Sequence, residues 1–275
     1  MLRSIHVYII LFMPELSKIY FSWTARWKQN QLPIPLSKFT RTELRSKWEA
    51  EGIELLSLKF SEDRAFVVIA SYPDLSPEFL AQRCKGRLDH ALRRYLPEFG
   101  GFDRTFYLRT LGQNTREIVQ NYIHDQVDAS NLVDPLFRKR LKELRFCSRA
   151  YSPSLNAHAA VYDLFYHVIL VTGGRYRMGC KEAEDVFSAL LDGARVAKNE
   201  MFEISVMPDH VHMLLGGSSE RSPESIVAGL KKESGLILRR TAFWSGGGYI
   251  GSVGPYRLRT ALDRNREKGW VKKGW

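Results

Sequence analysis

The sequence predicts an α+β fold built from two tandem copies of one β-α-β-β-α-β unit. Residues 63–94 align without gaps on residues 209–240, and 8 of the 32 aligned pairs are identical. Unrelated sequences of this composition would share about two such pairs. A chain of 275 residues is also long enough for two modest domains. We therefore expect two ferredoxin-like domains, each with an extra C-terminal helix, arranged as a pseudo-dimer.

The first strand and helix of each unit are predicted from an apolar run followed by an amphipathic stretch. In the first unit we expect the strand at about 5–12 and the helix at about 39–50. In the second unit the matching elements are expected at about 164–172 and 181–198. The first unit has additional residues, roughly 14–38, to which the pattern assigns no element.

The middle of each unit is predicted to be a hairpin followed by a long helix. Each helix begins with Ser-Pro-Glu, at Ser76 and at Ser222, where serine caps the helix and proline suits its first position. We expect both helices to end at arginine pairs, residues 93–94 and 239–240. The hairpin strands are expected at 53–60 and 65–70 in the first unit and at 202–207 and 211–215 in the second.

A glycine-rich patch, a last strand and an extra helix are predicted to end each unit. The strands are expected at 106–109 and 249–252, and the helices near 114–127 and 256–267. A basic helix at about 133–146 follows in the first unit. The predicted domains are residues 1–146 and 161–275, joined by a linker at 147–160.

Composition indicates a nucleic-acid partner. The 41 Lys and Arg residues exceed the 30 Asp and Glu residues, which gives a formal net charge of +11. Three widely spaced cysteines favour neither a disulfide framework nor a zinc ribbon, so a cytoplasmic location is expected. The apolar run at 7–13 is too short to span a bilayer, and we expect no membrane partner.

Two short motifs could contribute to a chemical site. His210 and His212 lie two apart on a predicted strand, so both imidazoles face one side and could bind one cation. A hydrogen-bonded pair without a metal is the alternative. Tyr122 and Gln126, four apart on a predicted helix, share a face, although Tyr122 could simply pack beside Ile118.

The second unit resembles the single-tyrosine HUH transposases of the insertion sequence 200/605 group. The resemblance lies in Tyr166–Thr172, Met207–Leu215, Ser222–Glu224, Leu230–Ser234 and Gly248–Gly254. In that family two histidines, and a glutamine four residues after the catalytic tyrosine, bind a divalent metal. The resemblance thus implies catalysis by Tyr122 and metal binding by His210, His212 and Gln126. Such ligands and a phosphoryl substrate suit Mg²⁺ or Mn²⁺.

Each unit lacks what the other retains. Arg64 and Phe66 stand in the first unit where the second has its two histidines. Arg264 and Lys268 stand opposite Tyr122 and Gln126 when the alignment is extended. The resemblance implies a homodimeric arrangement, in which the tyrosine helix of one subunit completes the site of the other. The chain is therefore expected to be a fused pseudo-dimer with one composite site, able to act as a monomer.

The resemblance also implies the reaction and its partner. Tyrosine attack on single-stranded DNA would give a 5′-phosphotyrosine and a free 3′-OH, with recognition of hairpins in the DNA. His124 and Asp125 are neighbours of Tyr122, but neither is assigned as a base, and Tyr249 and Tyr256 are weaker candidate nucleophiles. Phosphate contacts are expected from basic residues on equivalent helices. These are Lys85, Arg87, Arg93, Arg94, Lys231, Lys232, Arg239 and Arg240.

Three functions remain open from the sequence. The first is an active transposase, and the second is a domesticated, repeat-associated HUH nuclease with the same chemistry. The third is a catalytically silent protein that binds hairpin DNA, which would form no covalent adduct. Genomic context separates the first two, since a mobile element has matching copies with subterminal hairpins. An RNA-binding ferredoxin-like module is disfavoured, because neither central strand has the aromatic RNP1 pattern.

Overall fold

A computed structural model of the chain describes residues 18–28, 41–148, 154–155 and 160–266. The first unit comprises β1 (Ile19–Trp27), α1 (Arg41–Glu49), β2 (Ile53–Phe60), β3 (Arg64–Ser71), α2 (Pro77–Tyr95) and β4 (Phe102–Leu111). It continues with α3 (Arg116–His124), α4 (Gln126–Ala129), α5 (Pro135–Glu143), β5 (Arg145–Cys147), β6 (Ser154–Leu155) and β7 (Val161–Asp163). The second comprises β8 (Phe165–Thr172), α6 (Cys180–Val196), β9 (Met201–Val206), β10 (His210–Gly216), α7 (Pro223–Ile237), β11 (Trp244–Val253) and α8 (Leu258–Arg266).

The two sheets share one topology. The first contains the order β2-β3-β1-β4 and the second the order β9-β10-β8-β11, with antiparallel neighbours in both. In each case the two central strands are the first and third of the unit, as a β-α-β-β-α-β fold requires. The prediction of an α+β fold with two tandem ferredoxin-like units is confirmed.

The first strand of the first unit does not lie where the sequence pattern placed it. Residues 5–12 lie outside the described part of the chain, and the strand that pairs with β3 and β4 is β1, inside the segment left unassigned. Its residues alternate between buried and less buried, with Trp23 fully buried. This two-residue period indicates a strand, but the more continuous apolar run upstream was the more prominent feature.

Both Ser-Pro-Glu motifs begin helices as predicted. The Ser76 hydroxyl accepts a hydrogen bond from the Phe79 N–H, and the Ser222 hydroxyl accepts one from the Ser225 N–H. Whereas α2 includes its arginine pair, α7 stops at Ile237. Arg239 has a φ of +56°, and the N–H of Arg240 donates to the carbonyl of Gly235, which ends the helix.

The end of the first unit, which leads into the second, contributes strands to both sheets. Strand β5 pairs with β9 in the second sheet, whereas β7 runs parallel to β4 in the first. Strand β6 pairs with β7 from inside the predicted linker. The chain therefore crosses between the sheets here, and the division at 147–160 stays a prediction.

The extra helices are exchanged between the units. Helix α3 packs on β9 and β10 of the second sheet, and α8 packs on β2 and β3 of the first. The exchange occurs where β4 and β11 end, because Arg116 N–H donates to the Gly254 carbonyl and Leu258 N–H donates to the Gly112 carbonyl. A pseudo-twofold arrangement results from this reciprocal pair of hydrogen bonds.

Close backbone approach at this crossing predicts that its glycines are required. A Cβ at Gly254 would overlap the Thr110 carbonyl, and one at Gly112 would overlap the Ser252 carbonyl. We expect Gly254→Ala to lower the free energy of unfolding by about 1–3 kcal/mol, measured by urea denaturation. Gly246→Ala is the control, because a Cβ there meets no atom within 4 Å. Equal stability of the two variants would contradict the prediction.

Candidate functional site

The tyrosine helix of the first unit lies on the histidine face of the second. Val119 and Ile123 of α3 are buried against Phe165, Phe202 and Leu214 of the second sheet. These apolar side chains flank Tyr122, which is partly buried and packs against the same cluster. The sequence left open whether this helix has only a packing role. Its apolar side chains do pack on the second sheet, and this packing positions Tyr122.

Tyr122 lies beside His212 of β10 and His167 of β8. Its ring centroid is 5.6 Å from that of His212 and 6.0 Å from that of His167, both in edge-to-face geometry. Burial raises the pKa of the Tyr122 phenol, while a side-chain hydrogen bond with Gln126 acts to lower it. A tyrosine so placed is neutral until something stabilises its phenolate.

His210 and His212 each have one ring nitrogen engaged by a neighbour. Their ring centroids are 5.0 Å apart. His210 Nδ1 lies 2.7 Å from Asp209 Oδ1, and His212 Nδ1 lies 3.2 Å from His167 Nε2. Engaging Nδ1 in this way holds a histidine in the orientation and tautomer that present Nε2 to a cation. Both histidines are thus oriented as metal ligands usually are.

His167 is a member of the site that the sequence analysis did not single out. It lies on β8 and is 9% exposed. Burial lowers the pKa of its imidazole to about 4. A neutral His167 can accept a hydrogen bond from His212 Nδ1–H. Its position within Tyr166–Thr172, one of the segments of family resemblance, was the available signal.

Gln126 follows a break in the predicted helix. The expected helix at 114–127 is divided at Asp125, whose φ and ψ are −87° and 0°, so Gln126 begins α4 instead of continuing α3. It is nevertheless buried, and its Nε2 donates to the Tyr122 carbonyl at 3.1 Å. Because this bond uses the amide nitrogen, the amide oxygen is the atom suited to a metal.

The residues present fit a divalent metal by the chemistry of their donors. Two imidazoles and one amide oxygen suit Mn²⁺ or Mg²⁺ when phosphate and water complete the coordination. Ser205 pairs with His212 across β9 and β10, is fully buried, and its Oγ has no hydrogen-bond partner among the described residues. The described residues include no cluster of three or more His, Cys, Asp or Glu side chains suited to a metal. Metal binding here remains a proposal.

A buried carboxylate joins α3 to the second sheet. Glu203 on β9 is fully buried, and it accepts a hydrogen bond from Gln120 Nε2 at 3.2 Å. His124 Nδ1 lies 3.3 Å from the other carboxylate oxygen of Glu203. His124 therefore belongs to the contact that holds α3 on the second sheet. Glu203 was not identified from the sequence, since an isolated acidic residue in a strand gives no pattern.

The two weaker candidate tyrosines differ in position. Tyr249 of β11 lies on the histidine face, with its ring centroid 5.5 Å from that of His167. Burial raises the pKa of Tyr249, and the nearby phenols of Tyr20 and Tyr122 raise it further. Tyr256 instead lies beside Arg109 and Arg264, away from the histidines. Tyr249 is thus the stronger competitor for the role of nucleophile.

The corresponding face of the first sheet has no histidine pair. Arg64 lies on β3 with its guanidinium bonded to Asp63, and Phe66 follows two residues later on the same face. Helix α8 covers this sheet, and Asn265 Nδ2 donates to Ser57 Oγ. Arg264 is described, whereas Lys268 and the rest of the tail from 267 lie outside the described residues.

The predicted phosphate-contacting residues divide into two groups. Lys85 donates to the Asp103 carbonyl, and Lys231 donates to the carbonyls of Ser245, Gly246 and Gly247. Burial lowers the pKa of both lysines. They occupy equivalent positions, and each joins its helix to the last strand of its unit. Their hydrogen bonds therefore favour a structural role.

The arginines and Lys232 are more accessible. Arg87 pairs with Glu51, Arg93 with Asp89 and Arg240 with Glu182, whereas Lys232 and Arg239 are exposed. Arg87 and Arg94 also line a cleft between α1 and α2 together with Leu44, Lys47, His90, Ala91 and Tyr95. Three of the residues that line this cleft, Lys47, Arg87 and Arg94, are basic.

Loss of the Gln120–Glu203 hydrogen bond is expected to destabilise the packing of α3 on the second sheet. Gln120→Ala removes one partner of a buried carboxylate and should lower the free energy of unfolding by about 1–3 kcal/mol. Hydrogen exchange of the α3 amides should accelerate as well, because the helix is held less firmly. Asn121→Ala, an exposed neighbour on the same helix, is the control. Identical exchange in the two variants would refute the role of this contact.

Comparisons with known proteins agree with the repeated layout. The family described as Transposase IS200 like matches residues 16–126 and 160–255. No curated protein matches the chain. Among the described residues, no helix is long and apolar enough to cross a membrane.

Three solved structures show distant similarity. A candidate transposase from Deinococcus radiodurans R1 is 23% identical over 44% of this chain and 95% of its own, with a TM-score of 0.31. A REP-associated tyrosine transposase bound to a REP hairpin is 15% identical over 46% and 76%, with a TM-score of 0.28. The regulatory subunit of aspartate kinase from Thermus thermophilus is 10% identical over 80% and 93%, with a TM-score of 0.21.

All three TM-scores are low, so none of these structures by itself establishes the fold of this chain. The family match is different in kind, since its two stretches cover three quarters of the sequence and both units. It includes the histidine pair of the second unit and the tyrosine helix of the first. The chain belongs to the IS200-like transposase family.

Proposed function

We propose that this chain is a metal-dependent enzyme that cleaves and rejoins single-stranded DNA at one composite site. The observation that supports it is the position of the Tyr122 ring, 5.6 Å from the ring of His212 although the two residues belong to different units. A nucleophile from one unit and a metal-binding pair from the other thus form one chemical centre. Neither unit contains both parts by itself.

Tyr122 is the proposed nucleophile. Its phenol oxygen attacks phosphorus, the tyrosyl phosphate ester forms, and the bond from phosphorus to the 3′-oxygen breaks. The products are a 5′-phosphotyrosine and a 3′-OH, which takes up a proton as it leaves. Gln126 assists, since its side-chain hydrogen bond acts to lower the pKa that burial has raised. The phenol proton passes to a base that the geometry does not assign.

His210, His212 and Gln126 are the proposed metal ligands. A bound Mg²⁺ or Mn²⁺ would polarise the scissile phosphate and neutralise its developing charge. The protein orients the two imidazoles through Asp209 and His167. This arrangement keeps both ligands in place before DNA binds.

The same site supports strand transfer. A second 3′-OH attacks the phosphotyrosine, so the phosphodiester bond is restored and Tyr122 is released. Bond energy is conserved in the protein–DNA ester, and no nucleotide cofactor is required. Hairpin recognition would use the basic cleft between α1 and α2, with guanidinium groups on phosphates.

Covalent capture tests the nucleophile directly. With hairpin-containing single-stranded DNA and Mn²⁺, we expect an adduct on a peptide containing Tyr122, detected by denaturing gel and mass spectrometry. Tyr122→Phe should abolish it, and His210→Ala should reduce its rate about 100-fold or more, because loss of a ligand costs more than the roughly 10–100-fold typical for loss of a group that only supports a ligand. Tyr249→Phe is the matched control. An adduct on Tyr249 would refute the assignment, and hairpin binding without any adduct would favour the silent binding protein.

Mixing two inactive variants tests whether the site forms within one chain. Tyr122→Phe retains the histidines, and His210→Ala retains the tyrosine helix. If α3 docks on its own chain, the mixture should form no adduct at any protein concentration. Recovery of adduct upon mixing would show that helices are exchanged between chains and would contradict a self-sufficient pseudo-dimer.

A further inference from the structure

The first sheet has a surface that corresponds in register to the histidine face. Thr24 and Phe66 pair across β1 and β3 as Ile169 and His212 pair across β8 and β10. The last strands follow the same correspondence, because Tyr107 pairs with Thr24 as Tyr249 pairs with Ile169. Tyr107 is thus the counterpart of Tyr249.

Two residues further along the last strand, the units differ. The second unit has Gly251, and the Tyr249 phenol occupies the space beside it. The first unit has Arg109 at that position, so an additional cation stands on this surface. Arg264, the counterpart of Tyr122, adds another from α8. The surface that lost the metal-binding pair has gained guanidinium groups.

These arginines alternate with exposed tyrosines in a continuous row. The guanidinium carbon of Arg109 lies 6.0 Å from the ring centroid of Tyr107 and 5.9 Å from that of Tyr256. The guanidinium carbon of Arg264 lies 4.9 Å from the same Tyr256 ring. Tyr107 is 44% exposed and Tyr256 is 38% exposed. We call Tyr107, Arg109, Tyr256 and Arg264 the stacking row.

The two arginines of the row differ from others on this sheet in their salt bridges. Within the described part of the chain, neither Arg109 nor Arg264 forms an ion pair with an acidic side chain. By contrast, Arg64 on the same sheet is bonded to Asp63 through two nitrogens. The row therefore offers two guanidinium groups without a salt bridge to any described residue and two accessible aromatic rings. The alternative is that these cation–π contacts only stabilise α8, by a modest amount. That structural role does not require the arginines to lack an acidic partner.

We propose that the stacking row binds a single strand of DNA, so that the vacated second site serves as a substrate-holding surface. The tyrosine faces stack on unpaired bases, and the guanidinium N–H groups donate to phosphate oxygens. Duplex DNA does not offer its base faces in this way. The ligand class rests on the proposed function, whereas the location rests on the row itself.

Binding of an unstructured oligonucleotide tests the proposal. Labelled oligo(dT) without a hairpin is titrated against the Tyr122→Phe chain, so that no cleavage occurs, and fluorescence anisotropy gives Kd. Adding Tyr107→Ala and Tyr256→Ala should weaken binding about 30-fold or more, because the loss of two base–aromatic stacks costs at least about 2 kcal/mol at 1.4 kcal/mol per tenfold. Tyr72→Ala with Arg195→Ala is the control, since both are exposed elsewhere.

Salt dependence tests the role of the two arginines. Replacing Arg109 and Arg264 by alanine should reduce the slope of log K against log salt by about 1.4, at roughly 0.7 per phosphate contact with single strands. Tyr107→Phe with Tyr256→Phe retains the ring faces and should bind like the parent chain. This conservative variant keeps the test valid if an alanine variant fails to fold.

Two outcomes would overturn the proposal. One is a folded alanine variant whose Kd for oligo(dT) changes less than twofold. The other is weakened binding of blunt duplex DNA to the same extent, which would indicate general electrostatics. Adduct formation at Tyr122 is measured on the unaltered chain. It tests the proposed function independently of the stacking row. A chain that forms the adduct but binds oligo(dT) independently of the row refutes the row alone.

Discussion

The backbone crossing at Gly112 and Gly254 is the constraint on which the composite site depends. Here β4 and β11 approach so closely that neither position has space for a Cβ. The hydroxyl of Thr110 accepts from Phe165 N–H, and that of Ser252 accepts from Tyr20 N–H, so each unit holds the first strand of the other. The helix that leaves each crossing must continue over the opposite sheet. Tyr122 reaches the histidines for this reason.

Exchange of helices allows the two units to diverge without loss of the fold. On the second sheet, α3 is held by apolar packing and by buried Glu203, which fixes the position of the proposed nucleophile Tyr122. On the first sheet, α8 packs on Val68 and Leu111 and presents Arg264 instead. The same architecture thus supports a proposed catalytic surface on one side and a proposed binding surface on the other.

Much of the site could be predicted from the sequence because its signals are short-range. The His-x-His spacing on a strand, the Tyr-x-x-x-Gln spacing and the paired Ser-Pro-Glu caps each depend only on local geometry. The division at Asp125 changed the helix but not the proximity of Gln126 to Tyr122. His167 and Glu203 were missed because their roles come from partners far away in sequence. The strand at Ile19–Trp27 was missed because a more apolar run competed with it.

The sequence by itself determined the repeat, the fold class and the complementary distribution of the histidine pair and the tyrosine helix, since aligned residues and periodic burial are recorded directly in the order of amino acids. The tertiary structure decided which helix covers which sheet, the pairing of β5 and β7 with opposite sheets, and the structural ties made by Lys85 and Lys231. Those features depend on contacts between residues distant in the chain. Such contacts form only when close packing leaves a single arrangement that satisfies the buried backbone.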